Sequence, residues 1–126
     1  MGAEAMNKFY YKDGTASEDD VSKELHRVDG PALEYANGDK IWYVNGKRHR
    51  LDGPALEYAN GDKKWYVDGK LHRVDGPAVE YFDGSKSWFI NSVAYGKGQF
   101  NELVEEVKEL PLALRLIDPR EWVRKL

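Results

Sequence analysis

A 23-residue period dominates this chain. The stretch LHRVDGPALEYANGDKIWYVNGK at 25–47 returns as RHRLDGPALEYANGDKKWYVDGK at 48–70 with 19 of 23 positions identical, and a third copy at 71–93 keeps 11 of the second copy's residues. Units this alike must adopt one supersecondary structure. Each is too short to bury an apolar face alone, so stacking into a continuous core is expected. The positions held through all three include His26, His49 and His72; Arg27, Arg50 and Arg73; Asp29, Asp52 and Asp75; the Gly-Pro-Ala after each Asp; Tyr35, Tyr58 and Tyr81; and Trp42, Trp65 and Trp88.

Half a unit precedes the first full copy. Tyr10-Tyr11-Lys12-Asp13-Gly14 aligns with Trp42-Tyr43-Val44-Asn45-Gly46, and an acidic insertion around Ser17-Glu18-Asp19-Asp20 follows, giving a partial unit over 8–24. Past the third copy the pattern decays: Asn91-Ser92 replaces Asn-Gly, Tyr95 stands where His belongs and Gly96 where Arg belongs. Atypical ends are what capping requires. The array is therefore placed at 6–96 and a C-terminal helical cap at 97–126, with Met1–Ala5 set aside as an extraneous leader before a more natural start at Met6.

Within a unit, PALEYA and DKIWYV are short runs rich in aromatic and branched residues, joined by Asn37-Gly38, Asn60-Gly61 or Asp83-Gly84. That is a strong hairpin signal. A second Asn-Gly or Asp-Gly at 45–46 and 68–69, and a turn at each Asp-Gly-Pro, supply the reversals to the next hairpin. The expected fold is mainly β: an elongated antiparallel hairpin array of about three and a half units. A two-residue turn at Asn37-Gly38 would set Leu33 opposite Trp42, sharing a core face with Tyr35 and Val44. The other face would carry Ala32, Glu34, Asp39, Tyr43 and the variable position of Ile41, Lys64 and Ser87, expected to be exposed.

A 23-residue hairpin unit with Asn-Gly turns, an aromatic pair and a Gly-Lys-x-His step resembles the MORN repeat. It is closest to the variant HR-x-DGPA…NG…WY-x-NGK of bacterial and phage proteins, and the resemblance covers roughly residues 8 to 96. It implies a protein or lipid contact scaffold without a shared catalytic centre. His-Arg stands here for the usual His-Gly, and Gly-Pro-Ala for Gly-x-Gly, so binding roles of the usual pattern do not transfer at those positions.

Composition narrows the chemistry. With no cysteine there are no disulfides, thiolate nucleophiles or thiolate zinc sites. The net charge of −3 sits in the first 24 residues and the rest balances, so bulk charge offers no nucleic-acid footprint. No 18-residue apolar run and no basic-then-apolar leader directs the chain to a membrane, which makes the cytoplasm the expected location, a host's cytoplasm if phage-encoded. Three evenly spaced His suggest a metal, but equivalent residues of stacked hairpins stand about 9–10 Å apart, too far to share one ion, so no metal or cofactor is expected. No nucleophile elbow, phosphate loop or metal-helix motif appears, and Glu34, Glu57 and Glu80 recur in identical settings that cannot separate an acid from a base. A non-enzymatic protein is expected.

The candidate partner surfaces are two. Tyr43, Tyr66 and Phe89 with Glu34, Glu57 and Glu80 would form an aromatic and acidic strip. Arg27, Arg50 and Arg73 would form either a ladder of bidentate donors for anions or a brace for the HR-x-DG turns, each Arg paired with Asp, and the brace is favoured. The Trp column reads as packing, with a stacking platform as its alternative. The leading expectation is a protein-interaction module, an accessory or inhibitor such as an anti-defence protein that occludes an unidentified partner. The alternatives are a small-ligand or nucleotide sequestering protein using the Arg and Trp columns, and an enzyme with a site between array and tail.

From Asn101 the pattern turns helical, with Asn101 as N-cap, Glu102 and Glu105 in the first turn, and Leu103, Val104, Val107 and Leu110 on one side. Pro111 interrupts it. A second element is expected at Asp118-Pro119 with Trp122, Val123 and Leu126. An apolar helical pair would cover the open end of the array. The competing reading makes Leu112, Leu114, Leu116, Ile117 and Trp122 a homodimer or partner surface.

Overall fold

The computed structural model describes residues 6–18 and 23–108. Met1–Ala5, Asp19, Asp20 and the expected second helical element with the Leu112–Ile117 run lie outside the described residues. In chain order the elements are β1 (Lys8–Tyr10), β2 (Ala16–Ser17), β3 (Leu33–Glu34), β4 (Lys40–Ile41), β5 (Tyr43–Val44), β6 (Lys47–Arg48) and β7 (Leu56–Glu57). There follow β8 (Lys63–Lys64), β9 (Tyr66–Val67), β10 (Lys70–Leu71), β11 (Val79–Glu80), β12 (Lys86–Ile90), β13 (Val93–Tyr95) and one helix, α1 (Lys97–Lys108). The chain is an elongated, mainly β array of hairpins closed by a helix.

One antiparallel sheet runs in the order β13-β12-β11-β8-β7-β4-β3-β1-β2, and β5-β6 and β9-β10 are separate two-stranded ribbons. Each unit therefore has two hairpins. The first, such as β3-β4, joins the long sheet and pairs with the next unit through Lys40↔Glu57 and Ile41↔Leu56. The second, β5-β6, leaves the sheet at Trp42. There the backbone changes partner: Trp42 N–H donates to the Ala55 carbonyl of the next unit at 2.7 Å, while the Trp42 carbonyl accepts from His49 N–H at 3.1 Å. Tyr10 and Trp65 donate in the same way to Ala32 and Ala78. Those three alanines are fully buried, which accounts for a small residue after each Gly-Pro.

The register departs from the sequence expectation. Tyr35 N–H donates to the Asp39 carbonyl, Gly38 N–H donates to the Tyr35 carbonyl, and Gly38 has φ of 101°. The turn thus loops out three residues, Ala36-Asn37-Gly38, with glycine at the left-handed position, rather than two. Leu33 consequently faces Ile41, not Trp42. Since one residue of slip exchanges faces on the second strand, Ile41 is buried although expected exposed. Tyr35, expected in the core, is exposed at the pair that closes the turn. Ala32 is likewise buried, and Trp42 and Val44 are half-buried. Phe9, Tyr11, Leu33, Ile41, Ala55 and Leu56 form one core cluster, with Leu25, Trp42, Tyr43, Tyr58 and Tyr66 packed on it, and Val79, Ile90 and Phe100 are buried further along the array.

The second turn is the two-residue form. Asn45 and Gly46 have φ of 51° and 76°, Asp68 and Gly69 have 49° and 80°, and Asn91 and Ser92 have 53° and 66°. Two consecutive left-handed residues match the strand twist, and Asn or Asp followed by Gly tolerates them best.

The helix begins earlier than expected. Phe100 N–H donates to the Gly96 carbonyl at 2.9 Å and Gln99 Oε1 accepts from Gly96 N–H at 3.1 Å. Gly96 is thus the N-cap with Gln99 reaching back to it, and Asn101 lies inside the helix. Phe100 is buried, and Leu103 and Val104 are half-buried.

Candidate interaction surface

Each HR-x-DG segment is a turn whose arginine is engaged within the chain. Arg50 Nε donates to Asp52 Oδ1 at 3.0 Å, and its Nη1 donates to the Pro54 carbonyl at 3.0 Å and to Glu57 Oε1 at 3.3 Å. Arg73 repeats this with Asp75 and the Pro77 carbonyl and lies 3.6 Å from Glu80 Oε1. Arg27 does so with Asp29 and the Pro31 carbonyl. Each guanidinium also stacks on an aromatic ring nearer the N-terminus: Arg50 on Trp42 and Arg73 on Trp65, both at 3.9 Å from the ring centroid, and Arg27 on Tyr10 at 4.0 Å. Glycine after each Asp makes room. A Cβ on Gly53 would stand 2.9 Å from Arg50 Cζ, and one on Gly76 would stand 2.8 Å from Arg73 Cζ. The arrangement braces the turn and couples neighbouring units.

Histidine and aspartate add two further couplings. Asn45 N–H donates to His26 Nδ1 at 2.9 Å, Asp68 N–H to His49 Nδ1 at 3.0 Å, and Asn91 N–H to His72 Nδ1 at 3.0 Å. The repeated His therefore anchors the first residue of a left-handed turn, whose amide the two-strand ladder does not use. At the other hairpin, Asp39 Oδ1 accepts from Ala59 N–H at 2.7 Å, and Asp62 Oδ1 accepts from Phe82 N–H at 2.8 Å. Asn7 Oδ1 does the same for Ala36 N–H. These side chains fix register between units.

The aromatic and acidic strip is largely occupied. Tyr43 and Tyr66 pack on the core, Tyr66 beneath the Arg48 guanidinium at 5.4 Å, and Phe89 is half-buried. Glu34, Glu57 and Glu80 are half-buried, and the last two face Arg50 and Arg73. Among the described residues no group of three His, Asp or Glu is placed to hold a metal ion, and no helix is long and apolar enough to cross a membrane.

What the units offer to solvent is a different row, at the x of HR-x-DG. Val28 and Leu51 are 82% and 81% exposed. They lie on the lips of a groove with Trp42 and Val44 on its floor. The next groove runs from Leu51 to Val74 over Trp65 and Val67. In the last, Val74 and Trp88 meet Phe100 and Val104 of α1, so the helix stands where another HR-x-DG turn would come. Charge is sorted across the row. The side chains of Asp29, Asp52 and Asp75 are 81%, 87% and 81% exposed, whereas those of Arg27, Arg50 and Arg73 are 28%, 22% and 21% exposed. Carboxylates face outward and guanidinium groups inward. Sequence reasoning passed over this row, although x is aliphatic in all three units, as Val28, Leu51 and Val74.

Compared with protein-family models, curated proteins and solved structures, the chain finds no match.

Proposed function

We propose that this chain is a non-enzymatic protein-interaction module that occludes or scaffolds a partner along its HR-x-DG edge, in the manner of a phage or bacterial accessory or inhibitor protein. The observation that carries this reading is the pair of exposed aliphatic side chains, Val28 and Leu51, at the same position of the first two full units on a braced edge. Contiguous apolar positions rimmed by polar ones mark contact sites, and a rigid array presents them without an ordering cost on its own side. The resemblance to MORN-like arrays supports a scaffold role. The arginines argue for architecture over anion capture, because Nε and Nη1 of each already serve the chain.

The test is photo-crosslinking in cells or lysate of the source, with a photoreactive residue at position 51 in one sample and at exposed Lys70 in another. A discrete protein adduct from position 51, absent from position 70 and lost when Val28→Asp is added, is the expected result. Equal labelling from both positions would sink the proposal.

A further inference from the structure

We infer that the Val28–Leu51 row is a seat for a cationic amphipathic helix, an inference that rests on the interaction-module reading and assigns the chemistry of the partner. Three observations converge on it. The last groove is already walled by a helix: Phe100 and Val104 of α1, one turn apart, line it together with Val74 and Trp88. The two preceding grooves repeat the same turn and the same Trp floor, so the row is continuous with an edge that a helix already lines.

Spacing fits as well. Successive units advance by two strands, about 9–10 Å. Seven residues of α-helix rise about 10.5 Å, so apolar side chains two turns apart on one face meet successive grooves. Charge selects among such helices. The outward carboxylates of Asp29, Asp52 and Asp75 flank the apolar positions while their arginines are turned inward against Tyr10, Trp42 and Trp65. A partner helix with Lys or Arg beside its apolar stripe meets complementary charge, and one with Glu meets repulsion.

The experiment titrates the full chain with a synthetic helix of about 18 residues, built from Leu, Lys and Ala with Leu on one face at seven-residue intervals. Binding is followed by peptide anisotropy and by fluorescence of the chain's tryptophans. Three matched peptides accompany it: one with Leu shuffled off the common face, one with Lys replaced by Glu, and one broken by central prolines. Saturable binding of the first peptide alone, about tenfold weaker with Leu51→Asp, is the expected result. Weakening by Asp29→Asn with Asp52→Asn, and by added salt, is expected too. Leu51 is 81% exposed, so its substitution leaves the fold intact. Equal binding of the shuffled, acidic or proline-broken peptide overturns the inference, as does indifference to Leu51→Asp or no binding at all. Self-association abolished by Leu51→Asp assigns the row to a second copy and overturns it too. If crosslinking from position 51 succeeds while the peptide fails, the module reading stands and only the helix is rejected.

Discussion

Arg50 lies 3.9 Å from the ring centroid of Trp42, a residue of the preceding unit, while its Nε holds Asp52 in its own turn. One side chain thus joins a local brace to a contact between units, and Arg73 repeats it on Trp65. A stacked guanidinium that is mostly desolvated contributes about 1–2 kcal/mol. A double-mutant cycle of Arg50→Ala and Trp42→Ala in urea unfolding should therefore give a coupling energy of about 1 kcal/mol. A coupling near zero would show that ring and guanidinium are neighbours without consequence.

Gly53 makes that approach feasible, since an added Cβ would stand 2.9 Å from Arg50 Cζ. Gly53→Ala should cost about 1–2 kcal/mol by displacing the guanidinium from the ring. Combined with Arg50→Ala, which removes the obstructing group, the same substitution should cost only a few tenths of a kcal/mol. Glycine is required here by an approaching side chain rather than by backbone conformation.

Ser92 has φ of 66°, the position that Gly46 and Gly69 hold in the equivalent turns. A left-handed conformation costs an ordinary residue about 1–2 kcal/mol, partly offset on substitution by the greater unfolded-state freedom of glycine. Ser92→Gly should therefore stabilise the chain by about 0.5–1 kcal/mol in denaturant unfolding, against a clear loss for Gly69→Ala. A lower midpoint for Ser92→Gly would show that the serine side chain does more for the end of the array than its backbone strain costs.

The period, the hairpin at Asn37-Gly38 and its equivalents, and the capping helix could be read from the chain, because Asn-Gly and Asp-Gly turns recur at fixed intervals among β-forming residues; that the second turn closes a hairpin of its own could not. Which face each side chain takes could not. Asn37-Gly38 suits either a two-residue loop or the three-residue loop closed by Asp39, and that one residue decides whether Ile41 or Trp42 faces Leu33. Tertiary context decides it: the three-residue form aims Asp39 Oδ1 at Ala59 N–H of the next unit. The helix start was misplaced for a similar reason, since Gly96 caps through its backbone and Gln99 supplies the side chain, leaving no Ser, Thr, Asp or Asn at the cap. The Val28–Leu51 row was visible as an aliphatic x yet eclipsed by the more conspicuous arginines and aromatics around it.

Asp13 offers a pH test. The Thr15 hydroxyl donates to Asp13 Oδ1 at 2.6 Å and the Thr15 amide at 2.9 Å, and Lys23 Nζ lies 3.2 Å from Oδ2. Those bonds, the Thr15 hydroxyl first, lower its pKa from the ordinary 3.8 to about 2. A depressed carboxylate pKa means that the stabilisation is present above the ordinary value and is lost as pH falls through about 2. Carboxyl NMR titration should place Asp13 well below the ordinary 3.8 of an aspartate, and Thr15→Val should raise it more than Lys23→Gln does. An ordinary titration for Asp13 would mean that this turn is open in solution.

The last relationship explains a substitution in the repeat itself. Asp39 and Asp62 each accept an amide of the following unit, and the corresponding residue of the third unit is Ser85, after which no further unit comes. Ser85 instead bonds only within its own exposed turn, its amide and hydroxyl both donating to Asp83 Oδ1. Aspartate is thus retained where a neighbour must be held, and the position is released where the array ends. Asp39→Ala should cost about 1–3 kcal/mol, because Ala59 N–H loses a charged acceptor. Ser85→Ala removes only a local bond and should stay within about 0.5 kcal/mol. Hydrogen exchange sharpens the test, since Asp39→Ala should speed exchange at Ala59 and Asp62→Ala at Phe82, each one unit further along the chain. Exchange that changed only at the substituted turn would show that the units are held together by strand pairing and stacking alone.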